Sequence, residues 1–192
     1  VSASVGNQNG DWSWFLNFNK TDSEGQPLTF PTRLVSAGTV GNAGTPVTGA
    51  VLGNNRSNQP WVLLGTATQY HTQQDHIKAK IAYDFSPTVR AAYTFGWWHN
   101  ESEGRPASYL RDANGNAVYS GTVNNNGRSF ALAPTDFNVS NEDLTHLMHG
   151  LSVKSRTQGV FDWEVAATLH DHQTDALGVP GVASLAALNG GA

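Results

Sequence analysis

A run of strict two-residue alternation over residues 75–99 most constrains how this chain can fold. Apolar and polar side chains alternate on both sides of a tight Ser86-Pro87 turn, which predicts the two long strands of a β-hairpin. One face of this hairpin is apolar and consists of Ile77, Ala79, Ile81, Tyr83, Phe85, Val89, Ala91, Tyr93, Phe95 and Trp97. That face is either the inner face of a soluble sandwich or the lipid-facing surface of a membrane barrel.

Two further segments have the same period and predict two more long hairpins. The first hairpin is predicted from a short strand over residues 1–7, a turn over Asn7-Gln8-Asn9-Gly10 and a strand over residues 11–22. The last is predicted from a strand that ends at Lys154, a turn over residues 155–159 and a strand over residues 161–170.

The connections alternate between short turns and long segments. Residues 23–70 and 100–142 are rich in Gly, Asn, Thr and Pro. We expect extended loops there, with a short element near residues 61–64 and a small hairpin that turns at Asn114-Gly115. Beyond His172 the chain is predicted to enter another loop.

Short turns alternating with long loops are typical of bacterial transmembrane barrels, whereas a soluble sandwich has no reason to place every long loop at one end. The predicted fold class is all-β, an antiparallel meander of about six long strands. We interpret this meander as part of a large transmembrane β-barrel with long extracellular loops and short periplasmic turns.

Composition excludes several classes of protein. The 192-residue chain has a net charge of -4 and no basic stripe, so we expect no nucleic-acid partner. It has no cysteine, which excludes disulfide scaffolds and thiolate chemistry, and no apolar run long enough for a transmembrane helix. It also lacks a nucleophile elbow and a phosphate-binding glycine loop, so we predict a protein that is not an enzyme and holds no cofactor.

Four segments, in order along most of the chain, resemble the barrel region of TonB-dependent outer-membrane receptors. They are DWSWFLNFNKTDSEGQPLTF, IKAKIAYDFSPTVRAAYTFGWW, YLRDANGNAVYSG and HLMHGLSVKSRTQGVFDWEVAATLHDH. The resemblance implies a barrel of about 22 strands that holds a plug domain in its lumen. It implies a receptor in the outer membrane of a Gram-negative bacterium that imports a scarce ligand, most often a ferric siderophore, with energy relayed by TonB.

On this resemblance, residues 1–192 are a partial barrel segment without the TonB box and the plug domain. The chain begins at Val1 with no initiator Met, so we interpret it as an excised segment. The expected partners are outer-membrane lipid, a ferric siderophore or similar small ligand, and the TonB and plug domain of the intact protein. Two alternatives stay open: the same barrel importing haem, a vitamin or a carbohydrate, and a soluble extracellular β-sandwich that acts as a binding module.

The face opposite the apolar one carries charge. On the barrel interpretation it lines the lumen, with the Ser86-Pro87 turn at the periplasmic end and His76 and Trp98 at the ligand end. Asp162 and Glu164 are predicted to share this face as a solvated or plug-contacting pair, because neither has a nucleophile or an oriented histidine beside it. The predicted lumen cations are Lys78, Lys80, Arg90 and Lys154.

The seven histidines fall near the loop-side ends of the long strands. His170 and His172 share a strand face and would offer two imidazoles to a metal ion, whereas His146 and His149 point to opposite faces. We interpret the histidines as rim residues at a wet interface and predict no metal site. Ligand contact is predicted for aromatic and histidine side chains of the loops and rim, namely Trp61, Tyr70, Trp98, His99, Tyr109, Tyr119, His170 and His172.

Overall fold

The computed structural model describes residues 1–178 and contains no α-helix in that range. No helix in this range is long and apolar enough to cross a membrane. The chain divides into two compact units. The first unit comprises Val1–Ser23, Thr72–Glu101 and Glu142–Leu177, and the described part of the second comprises Glu24–His71, Ser102–Asn141 and Gly178.

The described residues form thirteen β-strands and one short 3-10 helix, Val35–Ala37. In chain order the strands are β1 (Ser2–Asn9), β2 (Trp12–Glu24), β3 (Thr32–Leu34), β4 (Thr39–Val40), β5 (Thr45–Pro46), β6 (Val51–Asn54), β7 (Pro60–Leu63), β8 (Gly65–Ser86), β9 (Val89–Ser108), β10 (Gly121–Asn125), β11 (Arg128–Leu132), β12 (Ser140–Ser155) and β13 (Glu164–Gly178).

The six long strands form one sheet in the order β1-β2-β8-β9-β12-β13. This order confirms the predicted meander, because each strand lies beside its neighbours among the long strands of the sequence. β1 pairs antiparallel with β2, and Asn9 lies opposite Trp12, so the connecting turn is Gly10-Asp11. Gly10 has a φ of 59°, a left-handed conformation that glycine adopts without steric cost. This turn begins later than the predicted turn over Asn7-Gln8-Asn9-Gly10. The turn between β8 and β9 lies at Pro87-Thr88, one residue after the predicted Ser86-Pro87 turn.

The third hairpin differs in detail from its prediction. Its connection runs over residues 156–163, so Phe161 and Trp163 lie in the connection and not in a strand. The Asp162 carboxylate accepts hydrogen bonds from the backbone N–H and the hydroxyl of Thr157, at 2.6 and 2.9 Å, and these bonds hold the wider turn. Strand β13 continues to Gly178, past the predicted end of the strand, and the rest of the predicted loop lies outside the described residues.

The prediction of an extended loop over residues 23–70 is wrong. Its short predicted element corresponds to β7, which is the central strand of a three-stranded sheet in the order β3-β7-β6. The long strand β8 already begins at Gly65. Strands of two to four residues are too short to produce a readable alternation, and their pairing partners are distant in sequence, so the pattern of side chains did not predict them.

The second unit also contains a four-stranded sheet in the order β4-β11-β10-β5. Strands β10 and β11 form a hairpin that turns at Asn126-Gly127, where both residues have positive φ, 51° and 75°. An Asn-Gly pair is the preferred sequence for such a turn, yet within residues 100–142 the predicted hairpin was the one at Asn114-Gly115. That predicted hairpin is a turn closed by one isolated bridge between Arg111 and Ala117.

A hydrophobic core lies within the second unit. Its buried members are Val47, Val62, Leu64, Leu110, Val123, Phe130, Leu132, Phe137 and Val139. The first unit differs, because Ala82 is the one buried hydrophobic residue among its described side chains. The second unit therefore has the core of an ordinary folded domain, and the six-stranded sheet of the first unit does not.

Candidate functional site

One face of the six-stranded sheet, here the apolar face, is formed by apolar side chains that remain exposed. Leu151 is 53% exposed, Phe85 66%, Val165 63% and Leu169 61%. The same face includes Trp12, Trp14, Leu16, Phe18, Ile81 and Tyr93, all of them more than a third exposed. An apolar surface that extends over five neighbouring strands marks a contact with lipid or with another protein layer.

The apolar face ends along a line of polar side chains, here the polar row, which consists of Lys20, Asp75, His99 and Thr145. The Lys20 ammonium lies 3.3 Å from the Asp75 carboxylate, and the Nδ1 atom of His99 lies 3.0 Å from the Thr145 hydroxyl. The Gln74 amide donates a hydrogen bond of 2.9 Å to the Asn100 side chain and joins β8 to β9 at this level. The four strands therefore change from apolar to polar at the same height.

Aromatic side chains gather at the opposite end of the apolar face, near the short turns. Trp12 packs against Tyr83 with ring centroids 4.7 Å apart, and Tyr83 meets Phe85 edge to face at 4.9 Å. Trp163 and Phe161, in the connection before β13, are also exposed. Aromatic rings at the ends of an apolar band are typical of a membrane interface.

The other face of the sheet, here the polar face, carries charged side chains, and two of the four predicted cations, Arg90 and Lys154, form ion pairs. Arg90 binds Asp84 at 3.0 Å and also donates to the Ser13 hydroxyl. Lys154 binds Glu164 at 2.7 Å, whereas Asp162 lies in the turn and accepts from Thr157. The prediction that Asp162 and Glu164 share a strand face is therefore wrong, because β13 begins only at Glu164. A polar depression of about 480 Å³ lies between the ends of β8, β9 and β12.

Three histidines, here the histidine cluster, lie together on the polar face. His170 and His172 are exposed on β13, and His146 is half-buried on β12. One ring nitrogen from each lies within 4.8 Å of the others. Ring centroids are separated by 4.1 Å between His146 and His172 and by 4.5 Å between His170 and His172.

The register of β12 against β13 brings these rings together. The Ser155 N–H donates to the carbonyl of Trp163 at 2.8 Å, and Lys154 lies opposite Glu164. Because the strands are antiparallel, eight residues back from 154 gives 146 and eight residues forward from 164 gives 172. His146 therefore faces His172 directly across the ladder, and His170 is its diagonal neighbour.

Three of the residues predicted to contact ligand lie at this location. His170 and His172 belong to the histidine cluster, and Trp98 packs against His146 with ring centroids 5.1 Å apart. A shallow cavity of about 240 Å³ beside them is lined by Trp98, His76, His146 and His170, among others. His99 lies on the apolar face instead, where it belongs to the polar row and stacks on Trp97.

The other four predicted ligand residues lie in the second unit. Trp61 is half-buried on β7 and packs over Gly53, where an added Cβ would meet its indole nitrogen at 3.0 Å. Tyr119 packs edge to face on the buried Phe137 at 5.3 Å, so its ring supports the core. Tyr70 is 40% exposed, and Tyr109 is half-buried next to the core residue Leu110.

The sequence pattern does not predict His146 as part of a cluster. It predicts that His146 and His149 point to opposite faces, and this is correct, because His149 forms a 2.7 Å hydrogen bond with the Tyr93 hydroxyl on the apolar face. The missing information was the length of the turn before β13. With the turn placed at residues 155–159, Thr168 lies opposite His146, and His172, four residues farther along the strand, is too far away to join it.

Comparison with protein-family models, with curated proteins and with solved structures finds no match to this chain. The observations that bear on function are therefore the exposed apolar face and the charged polar face of the six-stranded sheet.

The turn over residues 112–116 lies between Tyr109 and Tyr119, and the Asp112 carboxylate accepts hydrogen bonds within it. The backbone N–H of Asn116 and that of Asn114 each donate to Asp112 at 2.8 Å. The Asn116 bond is the main reason that the pKa of Asp112 lies below its ordinary value of 3.8. Because the folded pKa is lowered, the carboxylate stabilises the turn at neutral pH, and this contribution is lost as pH falls through the lowered pKa.

We expect a carboxyl ¹³C titration of Asp112 by NMR to give a lower midpoint in the folded chain than in the urea-unfolded chain. Asn116→Ala removes only a side-chain contact of 3.3 Å and keeps both backbone donors, so its midpoint should stay below the unfolded value. Equal midpoints for the folded and the unfolded chain would contradict the assignment of these hydrogen bonds.

Proposed function

We propose that the six-stranded sheet is part of the wall of a transmembrane barrel, and that the protein is a TonB-dependent outer-membrane receptor that imports a ferric siderophore. The observation that carries the proposal is the uncovered apolar face that ends at the polar row. Lipid covers such a face in a barrel, while the charged face opposite meets the wet lumen.

The height of the apolar face agrees with a bilayer. From Asp75 in the polar row to Ser86 at the turn, β8 advances eleven residues, about 36 Å at ~3.3 Å per residue. A tilt of roughly 40° reduces this length to about 28 Å across the membrane, close to the ~25 Å apolar band of outer-membrane barrels. The aromatic residues at the turn end fit one interface, and the polar row fits the other.

A soluble β-sandwich accounts less well for the same face. In a sandwich, a second sheet packs about 10 Å away and buries the inner side chains of the first. In the described residues, Leu151, Val165 and Leu169 are more than half exposed. A closed barrel also leaves no sheet edge, so the proposal requires pairing partners for the edge strands β1 and β13.

The ligand is proposed from the resemblance to TonB-dependent receptors, in which ferric siderophores are the most frequent cargo. The second unit consists largely of the segments predicted as long extracellular loops, and loops are where binding residues are usually found. Tyr70, which is 40% exposed, and the half-buried Trp61 offer aromatic surface there for a ligand. Haem, a vitamin or a carbohydrate would use the same barrel.

A charge introduced on the apolar face tests the membrane part of the proposal. Leu151 and Ser152 are neighbours on β12 that point to opposite faces. We expect Leu151→Arg to destabilise the protein in lipid vesicles by about 2–4 kcal/mol, and Ser152→Arg by less than about 1 kcal/mol, because only the first places the guanidinium in lipid. The measurement is urea unfolding of the intact protein reconstituted in vesicles.

The result that would contradict lipid contact is an equal effect of the two substitutions, or a larger effect of Ser152→Arg. A protein that stays monomeric without detergent and unfolds cooperatively in water would support the sandwich instead.

Transport is tested in iron-limited cells that produce the intact protein, with and without a functional TonB. We expect radiolabelled iron to accumulate from at least one of two ferric siderophores, a catecholate and a hydroxamate, and only in cells with TonB. Uptake of labelled haem, vitamin or oligosaccharide in their place would replace the proposed ligand while supporting the receptor. Failure to take up any of them, or uptake that does not need TonB, would contradict the receptor function.

A further inference from the structure

We propose that His146, His170 and His172 bind a divalent transition metal ion of the class that prefers imidazole ligands, with Zn²⁺ as its representative. The site lies on the polar face of the six-stranded sheet and involves residues of the first unit alone. It does not depend on the proposed transport function, because the three rings are brought together by the pairing of β12 with β13.

The geometry of the cluster needs only small side-chain movements to bind an ion. A tetrahedral zinc ion with Zn–N bonds of about 2.0–2.1 Å holds its nitrogen ligands roughly 3.3 Å apart. The candidate nitrogens lie within 4.8 Å of one another. His170 and His172 are exposed, so rotation about their side-chain bonds can close this gap without moving the backbone.

A second observation points to a missing ligand. The Nε2 atom of His146 is buried and has no hydrogen-bond partner among residues 1–178. A buried polar atom without a partner costs free energy, and native proteins rarely leave one unsatisfied. A metal ion between His146 and the two histidines of β13 would supply the partner for this nitrogen.

The groups around the histidine cluster also favour binding of a metal ion. Trp98 packs on the His146 ring at 5.1 Å and limits its orientation. The Asp175 carboxylate lies 3.9 Å from Nδ1 of His172, where it adds negative charge close to the site. The 240 Å³ cavity beside the cluster leaves room for a fourth ligand, such as water or an anionic group.

The ligand chemistry defines which ions can bind. Three neutral imidazoles suit Zn²⁺, Cu²⁺, Ni²⁺ and Co²⁺, whereas Mg²⁺ and Ca²⁺ require oxygen ligands. The site should therefore bind Zn²⁺ in the presence of excess Mg²⁺.

The test is calorimetric titration of Zn²⁺ into the purified full chain, kept folded in detergent micelles, in excess Mg²⁺, with folding of each variant checked by circular dichroism. We expect one saturable site per chain. His170→Ala, His172→Ala and His146→Gln should each weaken the affinity at least about tenfold, since loss of even an outer-sphere partner of a ligand costs roughly 10–100-fold. Visible absorption of bound Co²⁺ should change in the same variants, because it reports the ligand set.

His149→Ala is the matched control, since His149 lies on the same strand as His146 but on the apolar face. We expect it to bind Zn²⁺ with unchanged affinity. The proposal would be overturned by the absence of saturable Zn²⁺ binding, by unchanged affinity in the folded His170→Ala and His172→Ala variants, or by an equal loss in His149→Ala. These outcomes leave the transport proposal untouched, because they concern the purified chain and no siderophore.

Discussion

This structure depends on one constraint: large apolar side chains that stay in water raise its free energy, so they must be covered. Backbone hydrogen bonds join the six long strands into a sheet, yet they contribute little net free energy compared with burial. Each large apolar side chain contributes roughly 1.5–3 kcal/mol when it leaves water. Across the apolar face these side chains remain exposed, so the sheet needs an apolar surrounding, and the proposed bilayer would supply it.

The two units are stabilised in different ways. The second unit buries Leu64, Leu110, Phe137 and their neighbours in a core between short strands, as a water-soluble domain does. The first unit has no comparable core in its described residues, and its two faces differ in chemistry. On the proposed function this division has a physical reason: lipid stabilises the sheet, while loops exposed to water must carry a core of their own.

Periodicity predicted the long strands because side chains alternate over eight or more residues, as between Ile77 and Phe85. It failed for strands such as β4 and β5, whose two residues hold no period and whose partners come from distant segments. The sequence predicted the shared face of His170 and His172 in the histidine cluster, but not the position of His146. His170 and His172 share a face in any regular strand, but the position of His146 opposite His172 depends on the exact length of a turn held by Asp162 and Thr157.

The lipid exposure of alternate residues on β12 tests the central claim most directly. The 192 residues contain no cysteine, so a single cysteine introduced at each position from 147 to 154 is the one labelling site within them. With an environment-sensitive fluorophore attached and the intact protein reconstituted in bilayers, brominated lipid should quench labels at positions 147, 149, 151 and 153 and spare those at 148, 150, 152 and 154. Equal quenching at neighbouring positions, or quenching of both sets by a water-soluble agent, would contradict a lipid-facing sheet.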